Sequence, residues 1–244
     1  MGFDVDGVRA RPSCRVHPRD MGRTPGESHH RVTMIVGRVI RAAIRNAILL
    51  SMTRLPRGPH ITRYYMYRRL EEVVRREHAS GRILSISGSL RLCTLFELHD
   101  SKITEVNYPD TSILHLPFPD DEFHHVVSDQ VLEHVEGNPQ TAIDETWRVI
   151  QPGGLAVHTT CFVNPLHLEP GDFWRFSPDA LRFLCRRFSR IVDVGGWGNP
   201  YVWLVTSLGL RHEGIPEARW HPLHKLAMLN DERWPIVTWI VAET

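Results

Sequence analysis

The chain has 244 residues, 42% of them hydrophobic and 23% charged, which suits one sizeable soluble α/β domain with some length left for extensions. Its formal net charge of +1 conceals an asymmetry, with 16 arginines against 7 acidic residues in 1–80 and 13 basic against 21 acidic residues in 81–244. The acidic larger part argues against a groove that tracks a nucleic-acid backbone, so no nucleic-acid partner is expected.

Residues 1–32 show little periodicity and many Pro, Gly, Arg and His residues. They are expected to form a disordered tail, in which Met21, or Met34 just beyond it, could serve as a start. Residues 33–80 are expected to form an N-terminal helical extension. Its first part, TMIVGRVIRAAIRNAILLSMTRL, places Arg38, Arg41 and Arg45 on one helical face with apolar residues around the rest. Such a helix suits an anionic membrane surface, or it packs on the main domain with its arginines in water. A second helix is expected from Thr62 to His78, burying Tyr64, Tyr65, Tyr67, Leu70 and Val73/Val74.

After Gly81 the rhythm changes, and residues 81–244 read as one α/β domain. Strands are expected at Ile83–Ser87, Ile103–Asn107, His125–Asp129, Leu155–Cys161, Ile191–Val194 and Ile236–Ala242. Helices are expected at Leu90–His99, Gln140–Ile150 and Ser177–Arg187, the last with Ser177 as N-cap and Pro178 at the first helical position. Short apolar strands alternating with helices predict a mostly parallel sheet covered on both faces. Ligands in such sheets bind beyond the carboxyl ends of the strands, which directs attention to the turns after Ser87, Asn107, Asp129 and Cys161. The four cysteines, Cys14, Cys93, Cys161 and Cys185, show neither CxxC spacing nor a metal-ligand rhythm, so reduced thiols and no metal site are expected. Cys161 is either a nucleophile or a small core residue. No uncharged apolar run of 18 residues and no apolar signal core occurs, so the expected location is cytoplasmic, with Arg38, Arg41 and Arg45 as a candidate peripheral membrane contact.

The segment LPFPDDEFHHVVSDQVLEHV, Leu116 to Val135, resembles the class I S-adenosylmethionine-dependent methyltransferases of type 11, whose LPF…F-D-x-V…L-E-H pattern it matches except that His124 replaces an aspartate. RVIQPGGLAVHTT, Arg148 to Thr160, is similar to the same family's R-V-L-x-P-G-G turn. The resemblance spans roughly Ile83 to Glu243. A subgroup with a poor glycine loop is closer still, through SISG at Ser85–Gly88, Tyr108-Pro109, Trp197-Gly198-Asn199 and LNDERWPIVTW. The fold so implied is Rossmann-like, and the implied cofactor is S-adenosyl-L-methionine. By this resemblance Ser85, Ser87 and Gly88 would meet the cofactor's methionine part, Asn107 its ribose and Ser112 its adenine, with Asp129 and Gln130 completing the pocket. Asn107 and Ser112 stand where acidic residues are usual.

In NPLHLEPGDFWRFSPDALRFL, the resemblance implies that His167 and Asp172 act at the acceptor, with His134 as a further pocket residue. His167 is the candidate general base, oriented by Asp172, because an imidazole titrates near neutral pH. Arg175 would bind an anionic acceptor group or pair with Asp172, and Trp174 or Phe173 could stack on a ring. The expected activity is O-methylation of a small-molecule or saccharide acceptor. The competing reading is an inactive, scaffold-like relative. A hydride-transferring dinucleotide enzyme is disfavoured, because RILSISGSLR lacks G-x-G-x-x-G and Asn107 is not acidic. Phe123, Trp147, Trp197 and Trp239 read as core. The sequence leaves the oligomeric state open.

Overall fold

The structure, a computed structural model, describes residues 25–94, 102–168 and 170–244. Two compact units divide the chain, Met1–Ile44 and Arg45–Thr244. Helix α1 (Pro25–Ser51) begins in the first unit and ends in the second. It starts inside the stretch expected to be a disordered tail, and a proline at its first position explains the early start, since its fixed φ suits the first helical turn. The rest of that expected tail, residues 1–24, and Cys14 with it, lies outside the described residues.

The second unit is built on a six-stranded sheet of order β3-β2-β4-β5-β8-β6. Its strands are β2 (Ile83–Ile86), β3 (Ile103–Val106), β4 (Phe123–Asp129), β5 (Ile150–Cys161), β6 (Arg190–Trp197) and β8 (Val237–Glu243). Strands β2 to β5 are parallel neighbours, and β8 alone runs against both of its own, β5 and β6. This is a Rossmann-like α/β architecture, as the strand–helix alternation predicts. Alternate residues of the central strands face two separate cores, as the period of two requires. Ile83, Val127, Val157 and Val241 face one core, and Leu84, Val126, Ala156 and Ile240 face the other.

Helix α2 (Ile61–Arg76) covers the first face with Tyr64, Met66, Tyr67, Leu70, Val73 and Val74. The helix expected as part of an extension thus packs as a layer of the sheet-bearing unit, because its apolar stripe has the sheet to bury against. Helices α4 (Pro139–Val149) and α5 (Pro178–Leu184) cover the second face. Asn138 and Ser177 cap them, accepting bonds from the backbone N–H groups of Gln140 and Ala180 at 3.0 and 3.2 Å. The short helix α3 (Leu90–Thr94) follows β2, and residues 95–99 of its expected length lie outside the described residues.

Three differences from the expected elements have local causes. Strand β5 begins at Ile150, because Ile150 pairs with Phe123 before the register shifts and Pro152-Gly153-Gly154 passes close to β4. A Cβ on Gly154 would come within 2.2 Å of the His124 carbonyl, so no other residue fits there. Strand β6 extends to Trp197 through Gly195 and Gly196, residues that carry no strand signal of their own. The two-stranded sheet of β1 (Arg57–His60) and β7 (Gly214–Pro216), and the helices α6 (Val202–Ser207) and α7 (Pro222–Met228), are too short for sequence periodicity to show.

The two most telling motifs meet in space. Arg148 donates to the Leu116 and Phe118 carbonyls at 3.0 and 2.7 Å, and Glu145 accepts from the Leu116 N–H at 2.9 Å. The LPF loop is therefore held by the turn of α4 that precedes the Pro-Gly-Gly. Asn230 likewise joins the late motifs, accepting from the Gly198 N–H and donating to the Gly196 carbonyl. Phe123, Trp197 and Trp239 are buried, as expected, and Trp147 packs partly buried under Arg187.

Candidate active site

The carboxyl ends of β2, β3 and β4 open onto a cavity of about 530 Å³, lined among others by Ser87, Asn107, Ser112, Gln130, His134 and Phe173. Chain order reverses here, since β2 is flanked by β3 on one side and β4 on the other. The size is that of a pocket for a small organic ligand.

The floor is the loop after β2. Ser87 and Gly88 have φ of 51° and 77°. A Cβ on Gly88 would meet no atom within 4 Å, so backbone conformation, not crowding, calls for glycine, and the space beside it is open to a ligand. Bonds across to the β3 loop hold the turn. The Gly88 N–H donates to Asn107 Oδ1 at 2.9 Å, the Tyr108 N–H to Ser87 Oγ at 3.3 Å, and the Ser87 N–H to the Val106 carbonyl at 2.7 Å. Ser89 ties the loop to β4 by accepting from the Asp129 N–H at 2.7 Å. Side chains thus do what further glycines would do in a richer loop. Asn107 Oδ1 is occupied, which leaves its amide hydrogens to offer to a ligand in the cavity. The open loop, the cavity and these donors fit an adenosyl-methionine ligand.

Other expected cofactor residues are placed differently. Ser85 is fully buried within β2, its hydroxyl has no hydrogen-bond partner among the described residues, and it does not line the cavity. The strand packs it inward, two residues before Ser87, where the loop begins. Asp129 does not line the cavity either, because its carboxylate is bonded within the protein. It accepts from Tyr67, from Thr159 Oγ1 at 2.5 Å and from Arg63 Nε at 3.3 Å. Arg63 and Tyr67 come from α2, and no motif pointed to them. Gln130, with φ of 59°, lines the cavity and donates to Thr159 through its backbone and side chain. Ser112 lines it too, its hydroxyl accepting from the Leu114 N–H.

Beyond the cavity stands a second polar group. Asp172, its side chain covered, is held by both terminal nitrogens of Arg175 and by the His167 N–H at 3.0 Å. The Arg175 guanidinium beside it holds the Asp172 carboxyl well below the usual carboxylate range. Of the two readings for Arg175, pairing with Asp172 is the one the geometry gives. His167 Nδ1 lies 3.2 Å from Asp172 Oδ2, and its Nε2 lies 3.9 Å from Glu133 Oε1. Glu133, foremost among the causes, raises the pKa of His167 above its ordinary value. The His134 ring stands edge-on to His167 with centroids 4.8 Å apart. Trp174 donates through Nε1 to the Val135 carbonyl at 2.9 Å, and Phe173 rather than Trp174 lines the cavity. Glu133, fully buried on the 3₁₀ turn Leu132–His134, was missed. The Leu-Glu-His string that carries it was the signal at hand. Cys161 is a core residue, buried at the end of β5, and that burial pushes its thiol up to about 12.

A methyltransferase domain family, type 11, matches residues 70–158. No curated protein matches the chain. Among solved structures, MccD is 10% identical at a TM-score of 0.50, covering 77% of this chain and 100% of its own. An S-adenosylmethionine-dependent methyltransferase from Archaeoglobus fulgidus is 14% identical at 0.48, covering 73% and 93%. Phosphoethanolamine N-methyltransferase 2 from Haemonchus contortus, solved with S-adenosyl-L-methionine, is 11% identical at 0.49, covering 72% of this chain and 52% of its own.

Proposed function

We propose that this chain is a class I S-adenosylmethionine-dependent methyltransferase of type 11, the family whose model matches residues 70–158, and that its acceptor atom is an oxygen of a small molecule or saccharide. The observation that carries this reading is the Glu133–His134–His167–Asp172 group beside the cavity. A hydroxyl must lose a proton as it is methylated, and an imidazole set beside a carboxylate, as His167 is beside Asp172, is suited to orient it and manage that proton. S-adenosylmethionine, when bound, supplies a methyl group on a sulfonium. Ser87, Gly88, Asn107, Ser112 and Gln130 would hold it, at the polar lining that closes around the β2 loop. Asp172, fixed by Arg175, keeps His167 in one orientation, and Phe173 offers an aromatic wall to a sugar or ring. Positioning supplies most of what such a displacement needs, because the sulfonium is already activated.

Incubation with methyl-labelled S-adenosylmethionine and a panel of saccharide, phenolic, amine and thiol acceptors tests the assignment. O-methylated products, reduced at least a hundredfold in His167→Ala with cofactor binding intact, are expected. Transfer confined to nitrogen or sulfur acceptors would overturn it.

A further inference from the structure

Glu133 poses a problem in physical chemistry. Its side chain is fully buried, and only Oε2 is satisfied, accepting from the Thr160 hydroxyl at 2.8 Å. Among the described residues Oε1 has no hydrogen-bond partner. A buried carboxylate oxygen left bare is costly and rare, and calls for a ligand or a partner that arrives later. The group nearest in kind is His167 Nε2, at 3.9 Å too far for a hydrogen bond.

The two histidines around it are fixed in a telling way. His134 Nδ1 bonds the Gly171 carbonyl, which can only accept, so Nδ1 carries the proton and Nε2 keeps its lone pair. His167 Nδ1 stands 3.2 Å from Asp172 Oδ2 and 3.3 Å from both the Pro165 carbonyl and the Asn164 amide; the two acceptors favour a proton there, which in the neutral ring leaves Nε2 a lone pair towards Glu133. One donor atom from each of Glu133, His134 and His167 lies within 4.8 Å of the others. A histidine backed by a carboxylate is the usual support of a metal-bound imidazole.

We propose that Glu133, His134 and His167 bind a first-row transition-metal dication, of the zinc or manganese kind. Two imidazoles and one carboxylate favour such an ion over magnesium or calcium, which prefer all-oxygen shells. Ligand bonds of about 2.0–2.2 Å would draw the three groups inward. His167 can follow, since its side chain is 38% exposed on the segment between β5 and α5. Three protein ligands leave a coordination position open towards the cavity that His134 and Gly171 line. The inference deepens the oxygen-acceptor reading and rests on it for the ion's role. A coordinated acceptor hydroxyl would release its proton to water more readily, and its oxygen would take the methyl as the carbon–sulfur bond of the sulfonium breaks. His167 then serves as a ligand and the ion lowers the cost of losing the proton.

The test is calorimetric titration of metal-stripped full-length protein with zinc, manganese and magnesium chlorides, without cofactor. One zinc or manganese site per chain at micromolar affinity or better is expected, with magnesium at least a hundredfold weaker. Glu133→Gln and His167→Ala should each weaken binding at least tenfold. His167→Ala removes a half-exposed side chain and so covers the case in which the buried Glu133 variant does not fold. Binding unchanged in folded His167→Ala would mean other histidines hold the ion, and the proposal falls. No binding at millimolar metal also overturns it, and O-methyl transfer that persists under chelation would leave the oxygen-acceptor reading standing without it. Tight binding with the expected losses in both variants upholds the site, whichever acceptor proves correct.

Discussion

Asn107 is the residue on which the cofactor loop depends. Its Oδ1 holds the Gly88 N–H, and no glycine-rich turn is present to take over if that bond is lost. Asn107→Ala should weaken S-adenosylmethionine binding roughly tenfold, about the worth of one hydrogen bond plus a freed loop. Asn107→Asp keeps the acceptor and should bind at least as well. Calorimetry on both variants checks this, and an unchanged dissociation constant for Asn107→Ala would show that the loop stands without its clamp. His158 makes a different prediction. It is fully buried between Ser128 and Thr146, and burial lowers its pKa to about 4. The unfolded chain binds this proton below about pH 6.5 and the folded chain does not until about pH 4. Stability is therefore full above pH 6.5 and declines as pH falls towards 4, by on the order of 3 kcal/mol from this residue. Urea melts at pH 7.5 and 4.5 should show that decline, and His158→Gln should show less of it. His60 and His125, also lowered to about 4, add to the slope in the same direction.

At the scale of elements, two arginines join pieces distant in sequence. Arg148 links α4 to the LPF loop through the Leu116 and Phe118 carbonyls and Asp120. Arg148→Ala strands those carbonyls and should cost about 1–3 kcal/mol by thermal or urea unfolding. Arg233→Ala, which removes an exposed pair with Asp231, should leave the melting curve unchanged and serves as the control. Arg63 and Tyr67 bind α2 to Asp129 at the end of β4, with both partners of the Arg63–Asp129 pair largely covered. Arg63→Met leaves a covered carboxylate short of its cation and should cost about 3 kcal/mol. A change below about 0.5 kcal/mol would mean that Tyr67 and Thr159, or water, satisfy Asp129 without the arginine.

On the whole-molecule scale, charge separates along the chain, with the basic excess in residues 1–80. Helix α1 displays Arg38 and Arg41 exposed and Arg45 half-buried, alongside exposed Met34, Ile35, Val39 and Ile40. Among the described residues no helix is long and apolar enough to cross a membrane, so contact with a bilayer through α1 would be at its surface. The full chain should sediment with vesicles rich in anionic lipid more than with neutral ones. An Arg38→Gln, Arg41→Gln, Arg45→Gln variant should lose that difference, and equal sedimentation of the native chain with both vesicles would end the idea.

The sequence by itself determined the class of fold and where its ligand end lies. Strand–helix alternation after Gly81, the capped start of α5, and the two motifs at Leu116–Val135 and Arg148–Thr160 are local signals. They are legible because hydrophobic period, capping chemistry and turn residues act within a few positions. What the tertiary structure decided is which side chains face each other. It turned Ser85 into the core, committed Asp129 to Arg63 and Tyr67, spliced Asn107 to Gly88, and set Glu133 beneath two histidines. Those pairings join residues 19 to 66 positions apart for the bonds of Asn107 and Asp129. A string of residue types carries no record of such meetings, since they depend on how layers pack and on which partner each buried polar group finds.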